Sequence, residues 1–530
     1  MATPTIAKSV LTDRNSEYKA RDVIEIFIPP EDVPILNPKE TYLKMIVQLS
    51  GNSLHQPDQR GGVHSLIQEV QIYDGQNQQL LEQLENYNNW TSQHFYYDKT
   101  PGLTNLRGLM EGQSPVRGTN LTSLYWESTA TSLTPKYRPV EVCFPLWMSG
   151  ILSGAKSFPV ILTNGLRLRI TLAEGAQALE AFTQIGVATN TPPAIGAQAA
   201  GETFTPTEMN VLTHDFLAQG VFFETNAAIA AGNITTLTLK SAGTTAPSVA
   251  ATDANCPFRI GQQVGFETTA GGIFNCGAIT NITVVAGNVV LTFAQVAVAA
   301  GDVAGATAKI AVFSSTLTAD YTVKNVDMVC SVVQAAQGQV DAMVRKVNSG
   351  SVKLDYSSYN IYRDNLNARV NRPNINFQTT EHRAMSICSF PMGTQNSLVV
   401  SNFRPVRDGM LNYQYNIANR LTPNRRVDVA RVARRLPTYE WNAIHAHELE
   451  KALARWKTAP RFMARNSEAF GIGRELAKVG HSFNANDQEV ILNMEYSTGA
   501  GDNAVEKLLN SWVYHIRTLV ISPGSIAVQY

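Results

Sequence analysis

Apolar and polar residues alternate with a period of two in several separate stretches of this chain. Leu43, Met45, Val47 and Leu49 alternate with Lys44, Ile46 and Gln48, and Gly51 ends the run. Leu166, Leu168, Ile170 and Leu172 alternate with Arg167, Arg169 and Thr171, and Leu411, Tyr413, Tyr415 and Ile417 alternate with Asn412, Gln414 and Asn416. Successive side chains of a strand point to opposite faces, so each run predicts a strand with one buried and one wet face. Val23–Ile28 is a β-branched apolar run stopped by Pro29-Pro30. Near the C-terminus, Tyr514–Ile521, the turn Ser522-Pro523-Gly524 and Ile526–Tyr530 read as a hairpin. Many short strands separated by turn residues predict sandwiches or barrels.

Two of these patterns occur twice. Met148–Leu152, Phe158-Pro159 and the strand Leu166–Leu172 are matched in the second half by Phe470–Leu476, Phe483 and the strand Val490–Tyr496. Each copy reads as a short helical piece, an irregular turn with a Phe, and an alternating strand. A looser pair sets the strand Leu66–Gly75 and a helical stretch ending near Trp90 against the strand Leu411–Ile417 and a helical stretch starting near Trp441. Repetition on this scale predicts a duplicated module. Helices are few. Trp441, Ile444, Leu449, Ala452, Leu453 and Trp456 recur at helical spacing, which predicts a helix from an N-cap at Thr438 to about Lys457, with Glu448 able to pair with Lys451. Leu80, Leu81, Leu84 and Tyr87 predict a second helix over 78–88.

Residues 186–318 differ in character. They are rich in Ala, Gly, Thr and Val and poor in charge, with short apolar runs at Ile234–Leu239, Gln263–Phe266, Ile279–Val285 and Val289–Phe293. The entry Thr191-Pro192-Pro193 suits a domain boundary, and Tyr321–Val326 resumes the earlier style. The expected organisation is a first β module over 1–185 completed by 319–345, an inserted β domain over 186–318, and a second module over 346–530.

With 530 residues the chain has room for two or three cores. Charged residues make up 16% and the formal net charge is zero. A charged fraction well under the usual ~25% suggests a surface covered by other chains, copies of this one included. The five cysteines (Cys143, Cys256, Cys276, Cys330, Cys388) form no CxxC pair, so they are expected as buried free thiols of a reducing compartment, with a Cys256–Cys276 bond left open. The first residues carry no apolar secretory core, and no run is long and apolar enough to predict a membrane span.

Candidate chemistry is sparse. GxxxxGK[ST], GxGxxG and GxSxG are absent, and Gly471-Ile472-Gly473 lacks a third glycine. His445 and His447 lie two apart on a predicted helix and so point in different directions, which does not suit one metal ion. No cofactor, metal or catalytic residue is therefore assigned, and the chain is not expected to be an enzyme. One asymmetry stands out. Between Arg404 and Arg465 there are thirteen Lys or Arg and five Asp or Glu, centred on Arg425, Arg426, Arg431, Arg434 and Arg435. Such a cluster can pair with carboxylates and carbonyls of a neighbouring subunit, or face packaged nucleic acid.

Four pieces of this sequence, Ile24–Pro30 with Tyr42–Val47, Gly62–Gly75, Tyr413–Asn419 with Pro423–Asp428, and Tyr514–Tyr530, belong together. In this order they resemble the double-jelly-roll major capsid proteins of double-stranded DNA viruses, those of virophages and polinton-like viruses above all. The resemblance implies an all-β fold of two tandem eight-stranded jelly rolls with a β-rich insertion and a few loop helices. It implies a homotrimeric, pseudo-hexagonal capsomer that tiles an icosahedral virion shell, with the insertion as an outward tower that could meet a host-surface receptor. Penton and minor capsid proteins would be the other partners, and the host cytoplasm or nucleus the place of synthesis. Arg425, Arg426, Arg434 and Arg435 are then candidates for contacts between subunits. A jelly-roll lectin or receptor-binding spike is the alternative reading.

Overall fold

The computed structural model describes residues 5–98, 108–113, 124–125, 136–181, 224–240, 263–312, 319–393, 405, 409–429, 443–455, 470–497 and 506–529, a few short breaks inside these apart. The first module begins with β1 (Thr5–Leu11), β2 (Glu17–Lys19), β3 (Val23–Ile28), β4 (Tyr42–Gly51) and β5 (His55–Pro57). It continues with β6 (Ile67–Asp74), β7 (Leu80–Glu85), β8 (Val140–Phe144), β9 (Leu166–Leu172) and β10 (Leu179–Ala181). The insertion carries β11 (Gly232–Thr238), β12 (Gln263–Glu267), β13 (Ile273–Val285), β14 (Asn288–Val298) and β15 (Ile310–Val312). Strand β16 (Ala319–Val333) returns to the first module. The second module holds β17 (Val352–Leu366), β18 (Asn374–Thr379), β19 (Ala384–Gly393), β20 (Met410–Ile417) and β21 (Arg420–Asp428). It closes with β22 (Ile472–Glu475), β23 (Gln488–Tyr496), β24 (Lys507–Ser522) and β25 (Ser525–Gln529).

The two modules share one topology. The first pairs its strands as β1-β16-β4-β8 and β3-β9-β6-β7, the second as β17-β24-β19-β22 and β18-β23-β20-β21. Numbering the eight main strands of each module from its N-terminal end, both read 1-8-3-6 in one sheet and 2-7-4-5 in the other. All these pairings are antiparallel. This is the jelly roll, two four-stranded sheets facing each other over one core. Alternation builds that core: Leu43, Met45, Val47 and Leu49 are all buried, and their register partners Met328, Val323 and Tyr321 are buried with them. The repeated patterns fall on equivalent strands. Leu166–Leu172 and Gln488–Tyr496 are the seventh strands, and Ile67–Asp74 and Met410–Ile417 the fourth.

The insertion lies between β10 and β16. Its sheet runs β11-β14-β13-β12-β15, and it has its own core around Phe266, Ile282, Leu291 and Phe293.

Three local readings need correction. The helix expected over 78–88 is strand β7 followed by the helix Tyr87–Asp98. Turn chemistry decides this: Asp74 Oδ1 accepts the backbone N–H groups of Gln78 and Gln79 at 2.7 and 3.0 Å, and folds the chain back along β6. Gly75 is required beside that turn, because a Cβ there would lie 1.7 Å from the Asn164 carbonyl oxygen. Gly471–Leu476 is not helical either, since Ile472–Glu475 pairs with β19. Its supposed counterpart, Met148–Leu152, is a run of turns. The helix around Trp441 is described over Ala443–Ala454; Thr438 and Trp441 lie outside the described residues. Both it and Tyr87–Asp98 sit in the connection between the fifth and sixth strands of their module.

Candidate assembly surfaces

The two modules meet through the edge strand β7, the helix that follows it, and the turn at Gly150. The helix carries Trp90 into the outer face of the β17-β24-β19 sheet. Its indole lies 6.2 Å from the Tyr359 ring, 6.0 Å from Phe390 and 5.0 Å from Trp512, centroid to centroid. All four side chains are buried. A tryptophan hides about 200 Å² when buried, worth ~5 kcal/mol at ~25 cal/mol per Å², and aromatic pairs add ~1 kcal/mol each.

Hydrogen bonds fix the register of this junction. Tyr359 Oη donates to the Glu85 carbonyl at 3.0 Å, and Tyr356 Oη donates to the Leu81 carbonyl. Burial pushes the Tyr359 phenol well above its ordinary range, so it stays a donor. Gly150 allows the closest backbone approach, because a Cβ there would lie 2.0 Å from the Ser357 carbonyl oxygen. The Gly150 turn is itself held by Glu82, a fully buried carboxylate in β7. Glu82 accepts from Ser149 Oγ at 2.5 Å and from the Gly150 N–H at 2.8 Å.

The junction covers the second module's sheet on both faces. In β24 the run Leu509–Val513 is buried at every position, whereas β16 at the equivalent place alternates. The outer face of the first module's sheet is thus left half-exposed. It presents Leu11, Ile46, Lys44 and Lys324, with ion pairs from Lys44 to Glu141 at 3.4 Å and from Lys324 to Glu17 at 3.2 Å.

Of the four arginines predicted as subunit contacts, Arg425 and Arg426 lie on β21, the outer edge strand of the second module, and both are exposed. Arg434 and Arg435 lie outside the described residues. Arg426 pairs with Glu495 at 2.8 Å, and Arg372 reaches the same carboxylate at 3.0 Å. The Asn412 amide and these guanidiniums hold Glu495 below the usual carboxylate range. Glu448 pairs with Arg474 rather than with Lys451. His445 is buried against the rings of Tyr413 and Phe470, while His447 is exposed, so the two do diverge. Among the described residues no three His, Cys, Asp or Glu side chains group to hold a metal ion. Cys143, Cys276 and Cys330 are free thiols, Cys388 is buried, and Cys256 lies outside the described residues.

Sequence reasoning did not find the aromatic junction. The available signal was the near-continuous apolar stretch Leu508–Val513, broken by Asn510 and Ser511, which marks a strand covered on both faces.

No family model matches the chain, and no curated protein does. Among solved structures it is similar to PBCV-1 VP54, as fitted into a cryo-EM reconstruction of the virophage Sputnik, at 8% identity and a TM-score of 0.48, over 100% of this chain and 98% of that one. It is similar to the Faustovirus major capsid protein at 9% identity and a TM-score of 0.45, over 98% and 91% of the two chains. The STIV MCP follows at 8% identity and a TM-score of 0.37, over 96% of each.

Proposed function

We propose that this chain is a major capsid protein of an icosahedral DNA virus. Three copies form a pseudo-hexagonal capsomer, and capsomers tile the virion shell. One observation carries the reading: two modules of identical strand order, 1-8-3-6 over 2-7-4-5, are locked side by side through a buried aromatic junction. Two like modules per chain let three chains present six around a ring, which is the shape a shell of hexagonal tiles requires. A jelly roll also leaves sheet edges and outer faces that association must cover. In this reading the insertion is an outward tower available to a host-surface receptor. Arg425, Arg426, Arg434 and Arg435 contact neighbouring subunits, penton and minor capsid proteins complete the shell, and synthesis takes place in a reducing host compartment.

Light scattering and electron microscopy of the purified chain test this. The expected particle is about 174 kDa, three chains of 57.9 kDa, with a hexagonal outline. A stable 57.9 kDa monomer that binds a glycan array would overturn the capsid reading in favour of a lectin.

A further inference from the structure

We infer that neighbouring capsomers meet side by side through their outer 2-7-4-5 sheets, the first module of one copy facing the second module of a copy in the next capsomer, with Arg167 opposite Glu489. The inference rests on the capsid reading and deepens it: it names the surfaces by which one capsomer touches another. The junction inside the chain uses the β7 edge of the first module and the outer 1-8-3-6 face of the second. The outer faces of the two 2-7-4-5 sheets take no part in it. On β9 the side chains of Arg167, Arg169 and Thr171 stand out between buried Leu166, Leu168, Ile170 and Leu172. On β23 Glu489, Ile491, Asn493 and Glu495 alternate in the same way with buried Val490, Leu492, Met494 and Tyr496. Identical capsomers that tile a flat sheet in one orientation are related by translation, so each meets its neighbours through opposite sides. Around the ring the modules alternate, first, second, first, so opposite sides of the six belong to unlike modules.

The two faces carry unlike charges at one level. Arg167 is the second residue of β9, opposite Phe27 on the second strand and Tyr73 on the fourth. Glu489 is the second residue of β23, opposite Gln378 on the second strand. These places are equivalent in the shared topology, so the two charges stand at the same height in their modules. The Arg167 guanidinium lies 4.8 Å from the centre of the Phe27 ring, and its Nε donates to the Gly75 carbonyl at 3.0 Å. Among the described residues it has no carboxylate partner. Glu489 accepts from Asn376 Nδ2 at 2.5 Å and has no cationic partner among them. Other charges of these faces are matched within the chain: Arg169 pairs with Glu25 at 2.9 Å, and Glu495 with Arg426 and Arg372. Glu69 and Glu85 share the Gln83 amide at the far end of the strands from Arg167. Arg420 and Arg425 belong to the β21 edge, two strands from Glu489. Much of the second module's face is amide, with Asn374, Asn376, Asn412 and Asn493 at the surface. Amides donate and accept alike, so the unmatched charges set the pairing. Like modules brought together across a twofold axis set Arg167 against Arg167 and Glu489 against Glu489. Unlike modules bring opposite charges together.

The test uses the full chain with Arg167→Glu, with Glu489→Arg and with both, compared with wild type by circular dichroism, light scattering and electron microscopy. All are expected to keep the wild-type far-ultraviolet spectrum and to form trimers of about 174 kDa, three chains of 57.9 kDa. At low salt, where surface charges are least screened, wild-type trimers are expected to associate side by side into sheets or shells. Each single reversal is expected to stop at the trimer. The double reversal is expected to regain the lateral arrays, because the pair is restored with its charges exchanged. Single variants that form arrays like wild type, a double variant that does not regain them, or wild-type trimers that never associate overturn this inference and leave the capsomer standing. A wild type that stays monomeric overturns the capsid reading itself. If a reversal unfolds the chain, Arg167→Cys with Glu489→Cys takes its place. Oxidation is then expected to link chains beyond the trimer in lateral arrays and not in isolated trimers, and oxidised arrays without such links overturn the inference.

Discussion

The indole rings of Trp90 and Trp512 lie 5.0 Å apart, and one belongs to each module. Both are fully buried, so the two jelly rolls share one continuous apolar core instead of hanging on a linker. Trp90→Ala removes the largest side chain of the junction without touching either module's own strands. Urea denaturation is expected to show a loss of ~3–5 kcal/mol. Trp512→Ala should cost a similar amount. The double variant should cost less than the sum by ~1 kcal/mol, the coupling of an aromatic pair. Strictly additive losses would mean that the rings do not act on each other.

Gly150 gives a second, steric test of the same junction. A Cβ at this position would lie 2.0 Å from the Ser357 carbonyl oxygen, and backbone on both sides cannot yield cheaply. Gly150→Ala is expected to destabilise the protein by ~1–3 kcal/mol or more. Glu82→Ala should do so as well, because it orphans the Ser149 hydroxyl and the Gly150 N–H in a dry site, at ~1–3 kcal/mol for each buried donor. Glu82→Gln keeps one acceptor oxygen and should fall between. Thermal melts of the three variants check the order, and a Gly150→Ala protein as stable as wild type would show that the modules can separate freely.

The sheets were legible in the sequence because alternation is imposed by the pleat itself. Leu166–Leu172 and Gln488–Tyr496 stand out as strands, and as equivalents, since each has one wet and one dry face. Legibility ended where tertiary contact overrides local pattern. Leu80, Leu81, Leu84 and Tyr87 have helical spacing, yet the Asp74 turn and pairing with β6 make Leu80–Glu85 a strand. Gly471–Leu476 offers no alternation, so only pairing with β19 reveals β22. The junction was hidden for a different reason. Trp90 and Trp512 are 422 positions apart, and the apolar residues of Leu508–Val513 say only that the strand is covered on both faces, not that a helix of the other module covers it. The arginine cluster was visible by composition alone, yet Arg426 proves to be paired within the chain to Glu495.

Acid is expected to weaken the second module through His515. This ring is buried on β24 and accepts from Arg517 Nε at 2.8 Å. Burial first, and the Arg517 charge second, lower its pKa from 6.5 to about 3. A base whose folded pKa is depressed stabilises the fold fully above its unfolded pKa. That stability is lost as pH falls from about 6.5 toward 3, where the unfolded chain takes up a proton that the folded one refuses. Glu381 pulls the other way: burial raises its pKa, so its contribution is greatest in acid and falls as pH rises. The His515→Gln variant isolates the histidine. Urea denaturation between pH 7 and pH 3 should show a shallower fall in stability than wild type, and identical slopes would exclude His515 as the acid-sensitive group.

Arg425 and Arg426 offer a separation of folding from assembly. Both stand exposed on the outer edge strand β21, and the Arg426–Glu495 pair sits in solvent, where such pairs contribute ~1 kcal/mol at most. Reversing both charges, Arg425→Glu with Arg426→Glu, should therefore leave the melting temperature within a few degrees of wild type. If this edge meets carboxylates of a neighbouring copy, the same change sets like charges opposite one another, and assembly should fail at low salt. Raising the salt to ~1 M shortens the screening length to about 3 Å and should restore part of it. Sedimentation of wild type and variant at both salt concentrations reads this directly. Trimers and shells that persist unchanged at low salt would place the two arginines away from the contact between subunits.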